Sequence, residues 1–131
     1  MGSSLHPEIR ELDGRDNHRM PPDGTLAEKF APRHTVQLVK DGPFAKVFRS
    51  QNVMTNSLHG QGINVAGSRI VIDGHAPDGT PEAIYVKDAA GFTLSVQWHP
   101  EWEADIDPVS VALFKAFGQA CADFRGMRAG L

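Results

Sequence analysis

The sequence predicts an α/β fold, a sheet with covering helices, and two observations carry that expectation. From residue 34 onward, short β-branched runs recur between turn signals. The chain then closes on a long stretch whose apolar residues repeat at helical spacing, and that stripe needs a sheet to lie on.

Thr35–Val39 alternates and is rich in β-branched residues, so it reads as a strand. Asp41-Gly42-Pro43 is a turn leading into a short helix over Phe44–Phe48, with Pro43 near its first position. Asn52–Ser57 reads as a strand running into the polar loop Leu58–Gly62. Arg69–Asp73 and Ala83–Lys87 form a hairpin-like pair around the turn Pro77-Asp78-Gly79-Thr80. Phe92–Trp98 is the last strand and ends at His99-Pro100-Glu101. The closing helix starts from Asp107 as N-cap and Pro108 as first residue. It carries Val111, Phe114, Phe117, Cys121 and Phe124 on one face, widened by Leu113 and Ala120, and should end at Gly126.

Ahead of residue 34 the pattern is loose. Residues 1–33 hold Pro7, Pro21, Pro22, Pro32, Gly14 and Gly24 among charges, which reads as irregular structure with one helical turn at Leu26–Phe30. The chain is thus read as one partial domain over residues 1–131, with an irregular front (1–33) and a patterned body (34–131). So long an irregular segment points to a functional loop or a segment packed on something else.

Composition excludes several classes. With 131 residues, 40% hydrophobic and 22% charged, the chain is globular rather than disordered. A net charge of −3 without a long basic run gives no expectation of nucleic acid or an anionic membrane as partner. The apolar stretches are too short to cross a bilayer, and no signal-peptide pattern is visible. His6 stands where a myristoylation signal wants Ser or Thr, and Met1–Ser4 has the look of an expression remnant. One cysteine, Cys121, allows no internal disulfide and makes a reducing cytoplasm the default compartment. Six histidines show no short zinc-motif spacing, so neither a metal nor a cofactor is expected.

The chemistry concentrates at His99-Pro100-Glu101. Pro100 cannot continue a ladder and turns the chain between the two titratable residues. A carboxylate two residues past a strand-end histidine can hold one ring nitrogen protonated and leave the other free to accept a proton. A lone His-x-Glu triplet is weak by itself, since a surface histidine beside a helix-leading carboxylate has the same sequence. Trp98 and Trp102 flank it, as core packing or as a pocket wall. His34 and His75 read as packing or turn residues, Asp78-Gly79 as a turn, and Glu82 as a solvated or hydrogen-bonded edge residue.

Val96-Gln97-Trp98-His99-Pro100-Glu101-Trp102, followed by an acidic loop and the helix bearing Leu113–Phe117, resembles the end of the class I glutamine amidotransferase-like fold. Asn56-Ser57-Leu58-His59-Gly60-Gln61-Gly62, then Ala76–Ile84, and less specifically Asn17-His18-Arg19, agree in order and spacing. Trp98 and Trp102, where biosynthetic amidotransferase domains tend to have phenylalanine and serine, make it most similar to the gamma-glutamyl-gamma-aminobutyrate hydrolase branch. The resemblance runs from about Gly2 to Phe124.

That resemblance implies the C-terminal part of a flavodoxin-like fold, with a mixed sheet and covering helices. It implies a thiol hydrolase of gamma-glutamyl amides, with a gamma-glutamyl small molecule as substrate. His99 would activate a cysteine and protonate the leaving amine, and Glu101 would orient His99. Ser57, His59 and Gln61 would contact substrate. The family's cysteine elbow lies in a front half ahead of this sequence. Cys121 is expected to be buried on the last helix as a small hydrophobe and so cannot replace it. Activity of these 131 residues alone is therefore not expected. Self-association, or association with the missing half, would cover the surface left open. A non-catalytic remnant that dimerises or binds a partner is the alternative.

Overall fold

The computed structural model describes residues 2–130; Met1 and Leu131, the two ends of the expected 1–131 domain, lie outside the described residues. In chain order the elements are β1 (Ser4–His6), a 3-10 turn (Ile9–Glu11), α1 (Leu26–Lys29), β2 (His34–Leu38), α2 (Pro43–Phe48), β3 (Asn52–Thr55), β4 (Gly62–Val65), β5 (Ile70–His75), β6 (Pro81–Val86), β7 (Ser95–Val96) and α3 (Pro108–Ala129). Five strands make one sheet in the order β3-β2-β5-β6-β7. Helices cover it, so the α/β class holds, and every strand pairing among the described residues is antiparallel.

Alternation decides which side faces the core. On β2, Val36 and Leu38 are buried while Thr35 and Gln37 are exposed, and on β3 Val53 is buried beside exposed Met54. These valine and leucine side chains meet Phe44 and Ala45 of α2, Ala83, Trp98 and Leu113 of α3 in one cluster. Phe44 is fully enclosed, which at this size contributes about 2–3 kcal/mol of transfer free energy. Gly74 lets β5 approach its neighbours: a Cβ there would stand 2.9 Å from Leu38 and from Val36 and 3.1 Å from Ala83.

Asp73 fixes the start of α2. Its buried carboxylate accepts the Phe44 N–H at 3.0 Å, where a helix has an orphan donor. Burial raises the Asp73 pKa, and the Phe44 N–H opposes that only in part.

Several expectations are corrected. The front segment is not wholly irregular: β1 pairs antiparallel with β4, and Ile9 is buried under Gly62. β4 itself begins at Gly62, which the sequence reading placed at the end of a polar loop. The helical turn falls where expected and is closed by a Thr25–Glu28 capping box. The last strand shrinks to Ser95–Val96, which pair with Ile84 and Ala83, followed by one further backbone bond from Gln97 N–H to Glu82 O at 2.9 Å.

The closing helix departs most from expectation. Asp107 caps it by accepting the Ser110 N–H at 2.8 Å, as predicted. It runs through Gly126 to Ala129, since one helical glycine costs only about 1 kcal/mol. Its phenylalanine stripe is not buried: Phe114, Phe117 and Phe124 are 43%, 50% and 59% exposed. Ser110 and Leu113 are its buried residues and Val109 packs against the core beside them, so the helix docks by its first turns and overhangs a small sheet beyond them. Cys121 is exposed as well, contrary to the buried cysteine expected.

Candidate active site at the end of β7

Two polar clusters meet at the end of β3, and each owns one of two adjacent residues. The first surrounds His99. Glu101 Oε1 lies 2.6 Å from His99 Nδ1, so the carboxylate accepts a proton held on Nδ1 and leaves Nε2 as a lone pair. Both side chains are open to solvent, at 42% and 61% exposure. The His99 backbone is held in turn by the buried Asn56 side chain. Asn56 Nδ2 donates to His99 O at 2.9 Å, and His99 N–H donates to Asn56 Oδ1 at 2.8 Å. Sequence reasoning gave Asn56 no role of its own, because its partner lies 43 residues away and only the fold brings the two together.

Beside the dyad is a cavity of about 160 Å³ whose lining includes Phe30, Asn56, Trp98, His99, Trp102 and Ser110. Phe30 stacks on Trp102 at 4.9 Å and meets the His99 ring edge-on at 6.1 Å. The front segment thus supplies one wall. Trp98, 4% exposed, serves both core and wall, while Trp102 is wall. Cys121 is not in this lining. It sits eleven residues beyond Ser110 on α3, about 16 Å along the helix axis, in a separate groove with Phe92, Phe117 and Phe124.

The second cluster is buried. His18 Nε2 lies 2.7 Å from Asp78, and its Nδ1 lies 3.1 Å from Ser57 Oγ and 3.3 Å from Glu82. His59 Nε2 is 3.1 Å and His34 Nε2 3.7 Å from the same Glu82 oxygen. Glu82, read as an edge residue, is 1% exposed and central, and Asp78 binds His18 besides shaping its turn. Burial disfavours the charged form of His18, but Glu82 and Asp78 outweigh it and raise the pKa. Burial likewise opposes ionisation of Glu82, and His18 and His59 outweigh it to lower that pKa. For Asp78, burial is outweighed by the Asp16 N–H, His18 and Thr80, and its pKa falls far below the usual range.

Of the residues read as substrate contacts, Ser57 and His59 belong to this second cluster, and Gln61 offers its carbonyl to His59 Nδ1 at 2.8 Å. None of the three is in the lining of the cavity beside His99. Adjacent residues explain the division: Asn56 reaches His99, whereas Ser57 points the other way to His18. Arg33 binds the strand end to the front segment, donating to the carbonyls of Asn17, Arg19 and Ser57.

Comparison with known proteins bears on family and fold. The chain is 37% identical over 121 residues to the gamma-glutamyl-gamma-aminobutyrate hydrolase PuuD of Escherichia coli K12, an alignment covering 92% of this chain and 47% of that protein. It is 34% identical over 117 residues to a Schizosaccharomyces pombe protein described as a glutamine amidotransferase, covering 88% of this chain and 43% of that one. The chain therefore spans about half the length of the curated relatives it matches. Its fold matches a Thermoplasma acidophilum crystal structure described as that of a GMP synthase subunit, with a TM-score of 0.63 and 12% identity over 98% of this chain and 53% of that one. The Peptidase C26 family model matches residues 1–101, a span that runs from the front segment through the dyad. The chain belongs to the Peptidase C26 family, and its fold is of the class I glutamine amidotransferase kind.

Proposed function

We propose that these residues form the base-bearing part of a hydrolase of gamma-glutamyl amide bonds, of the gamma-glutamyl-gamma-aminobutyrate type. The observation that carries the reading is the 2.6 Å contact of Glu101 with His99 Nδ1 beside an aromatic-walled cavity. His99 Nε2, left with its lone pair, takes the proton of a thiol as sulfur attacks the gamma-carbonyl. The same nitrogen returns the proton to the departing amine, and water then cleaves the glutamyl thioester. Glu101 holds the tautomer and stabilises the imidazolium between those steps. Ser57, His59 and Gln61 bear on substrate through the loop they shape rather than from the cavity wall. No cofactor enters this chemistry, and a reducing cytoplasm suits its thiol; among the described residues no helix is long and apolar enough to cross a membrane.

The thiol comes from polypeptide outside these 131 residues. Cys121, the one cysteine, stands about 16 Å along α3 from the cavity. Hydrolysis of gamma-glutamyl-p-nitroanilide by this chain alone should therefore be undetectable. Turnover that vanished in His99→Ala would place a nucleophile within the chain and overturn this reading.

A second reading is favoured by the open face of α3. Phe117, Phe124 and Met127, 50%, 59% and 70% exposed, make an apolar groove with Phe92 and Cys121. Such a face suits self-association or a partner polypeptide, including one that carries the thiol, and a non-catalytic binding module would use it in the same way. A concentration-dependent shift in sedimentation that Phe117→Asp abolishes supports association through this face.

A further inference from the structure

The buried cluster behind the dyad holds an arrangement that hydrogen bonding alone leaves incomplete. Three imidazoles converge on one carboxylate: His18 Nδ1, His59 Nε2 and His34 Nε2 lie 3.3, 3.1 and 3.7 Å from Glu82 Oε1. Each ring is anchored on its outer nitrogen by an acceptor. Asp78 takes His18 Nε2 at 2.7 Å, the Gln61 carbonyl takes His59 Nδ1 at 2.8 Å, and the Thr35 carbonyl takes His34 Nδ1 at 3.0 Å. An acceptor can be satisfied only by a protonated nitrogen, so all three outer nitrogens carry hydrogen. His18 is the exception among the inner nitrogens: its Nδ1 also meets Ser57 Oγ at 3.1 Å, whose own hydrogen goes to the His18 carbonyl, so that nitrogen donates in the absence of an ion. The inner nitrogens of neutral His59 and His34 are lone pairs, and they face a carboxylate that is also an acceptor.

Acceptors facing acceptors in a buried space need a cation between them. Protons on the inner nitrogens are one solution, at the cost of crowding several imidazolium rings at centroid separations of 5.0 and 5.2 Å. The unsatisfied atoms point to another. Among the described residues, His34 Nε2 and Glu82 Oε2 are buried without any hydrogen-bond partner, and Glu82 as a whole is 1% exposed.

We propose that His18, His59 and Glu82 form a binding site for one divalent transition-metal ion of the zinc type; His34, 3.7 Å from Glu82 but outside this compact set, would swing inward to supply a fourth ligand. The ligand atoms of the first three all lie within 4.8 Å of one another. A tetrahedral ion with bonds of about 2.0–2.1 Å sets its ligands about 3.3 Å apart, close to the two shorter separations from Glu82. A carboxylate or carbonyl behind each ligating imidazole is the outer arrangement metal-bound histidines use. The ligands come from residues 18, 34, 59 and 82, so no short motif betrays them in the sequence, and the expectation of no metal rested on spacing alone. The ion would cross-link the front segment, β2, the β3–β4 loop and the β5–β6 hairpin. Ser57, against His18, is the neighbour of the Asn56 that holds His99.

The test is metal retention by the whole chain. The protein is freed of metal with a chelator, dialysed against Zn2+, and assayed for bound zinc. One ion per chain is expected, with at least a tenfold loss of affinity in His59→Ala and in Glu82→Gln and none in His6→Ala or Cys121→Ser. Wild-type protein that holds no more zinc than His59→Ala, or zinc whose retention follows Cys121 or His6, overturns the proposal. Loading the wild type with Co2+ gives a readout independent of variants that fail to fold. The intense visible bands of a four-coordinate nitrogen and oxygen site support the proposal, and the weak spectrum of the hydrated ion overturns it.

Discussion

Asn56 and His99 are joined by a pair of hydrogen bonds in which one side-chain amide satisfies both backbone groups of the other residue, at 2.9 and 2.8 Å. This clasp, not the strand, sets where His99 stands, because β7 ends at Val96, three residues earlier. Asn56→Ala leaves a backbone N–H and C=O without partners and should cost about 1–3 kcal/mol. Urea denaturation measures it, and His99→Ala, which keeps the backbone clasp, should cost clearly less.

The buried cluster predicts how stability follows pH in the presence of chelator. Asp78 and Glu82 have lowered pKa values, so their contribution is complete above their ordinary values of 3.8 and 4.5 and is lost as pH falls through the lowered ones. His18 has a raised pKa, so its contribution is complete below the ordinary 6.5 and is lost as pH rises through the raised one. The urea midpoint should be greatest between pH 4.5 and 6.5 and fall on both sides. His18→Gln should flatten the alkaline side.

Gly74 is a packing constraint rather than a turn residue. A methyl group there meets Leu38 and Val36 at 2.9 Å and Ala83 at 3.1 Å, all in or beside the sheet interior. Gly74→Ala should destabilise by about 1–3 kcal/mol, as overpacking does. Gly91→Ala, where a Cβ meets nothing within 4 Å, is the control and should stay within about 0.5 kcal/mol.

Phe30 carries the cavity wall from the front segment. Removing it in Phe30→Ala unstacks Trp102 and opens that indole to water, while Trp98 stays in the core. Tryptophan emission should move to longer wavelength with little change in the thermal midpoint, since α1 contributes no buried residue.

Much of this was legible in the chain, for reasons particular residues show. Val36 and Leu38 alternate with polar neighbours, and Asp107-Pro108 is a strong helix start, so β2 and the onset of α3 followed from local chemistry. His99 and Glu101 lie two positions apart across a proline, which made the dyad readable. The buried cluster was not, because its hydrogen bonds span separations of 23, 39 and 60 residues and only the folded sheet closes them. The α3 stripe misled for a related reason. Periodicity reports that a face is apolar, and whether anything covers Phe117 and Phe124 depends on surfaces the local pattern does not encode.

The role proposed for His99 depends on Glu101 keeping the ring hydrogen on Nδ1, which frees Nε2 to act as a base. A long-range 1H–15N spectrum of the imidazoles, recorded where His99 is neutral, reads that tautomer. An Nδ1–H ring is expected in the wild type, reverting toward Nε2–H in Glu101→Ala. An Nε2–H ring in the wild type, or a tautomer indifferent to Glu101, would refute the role.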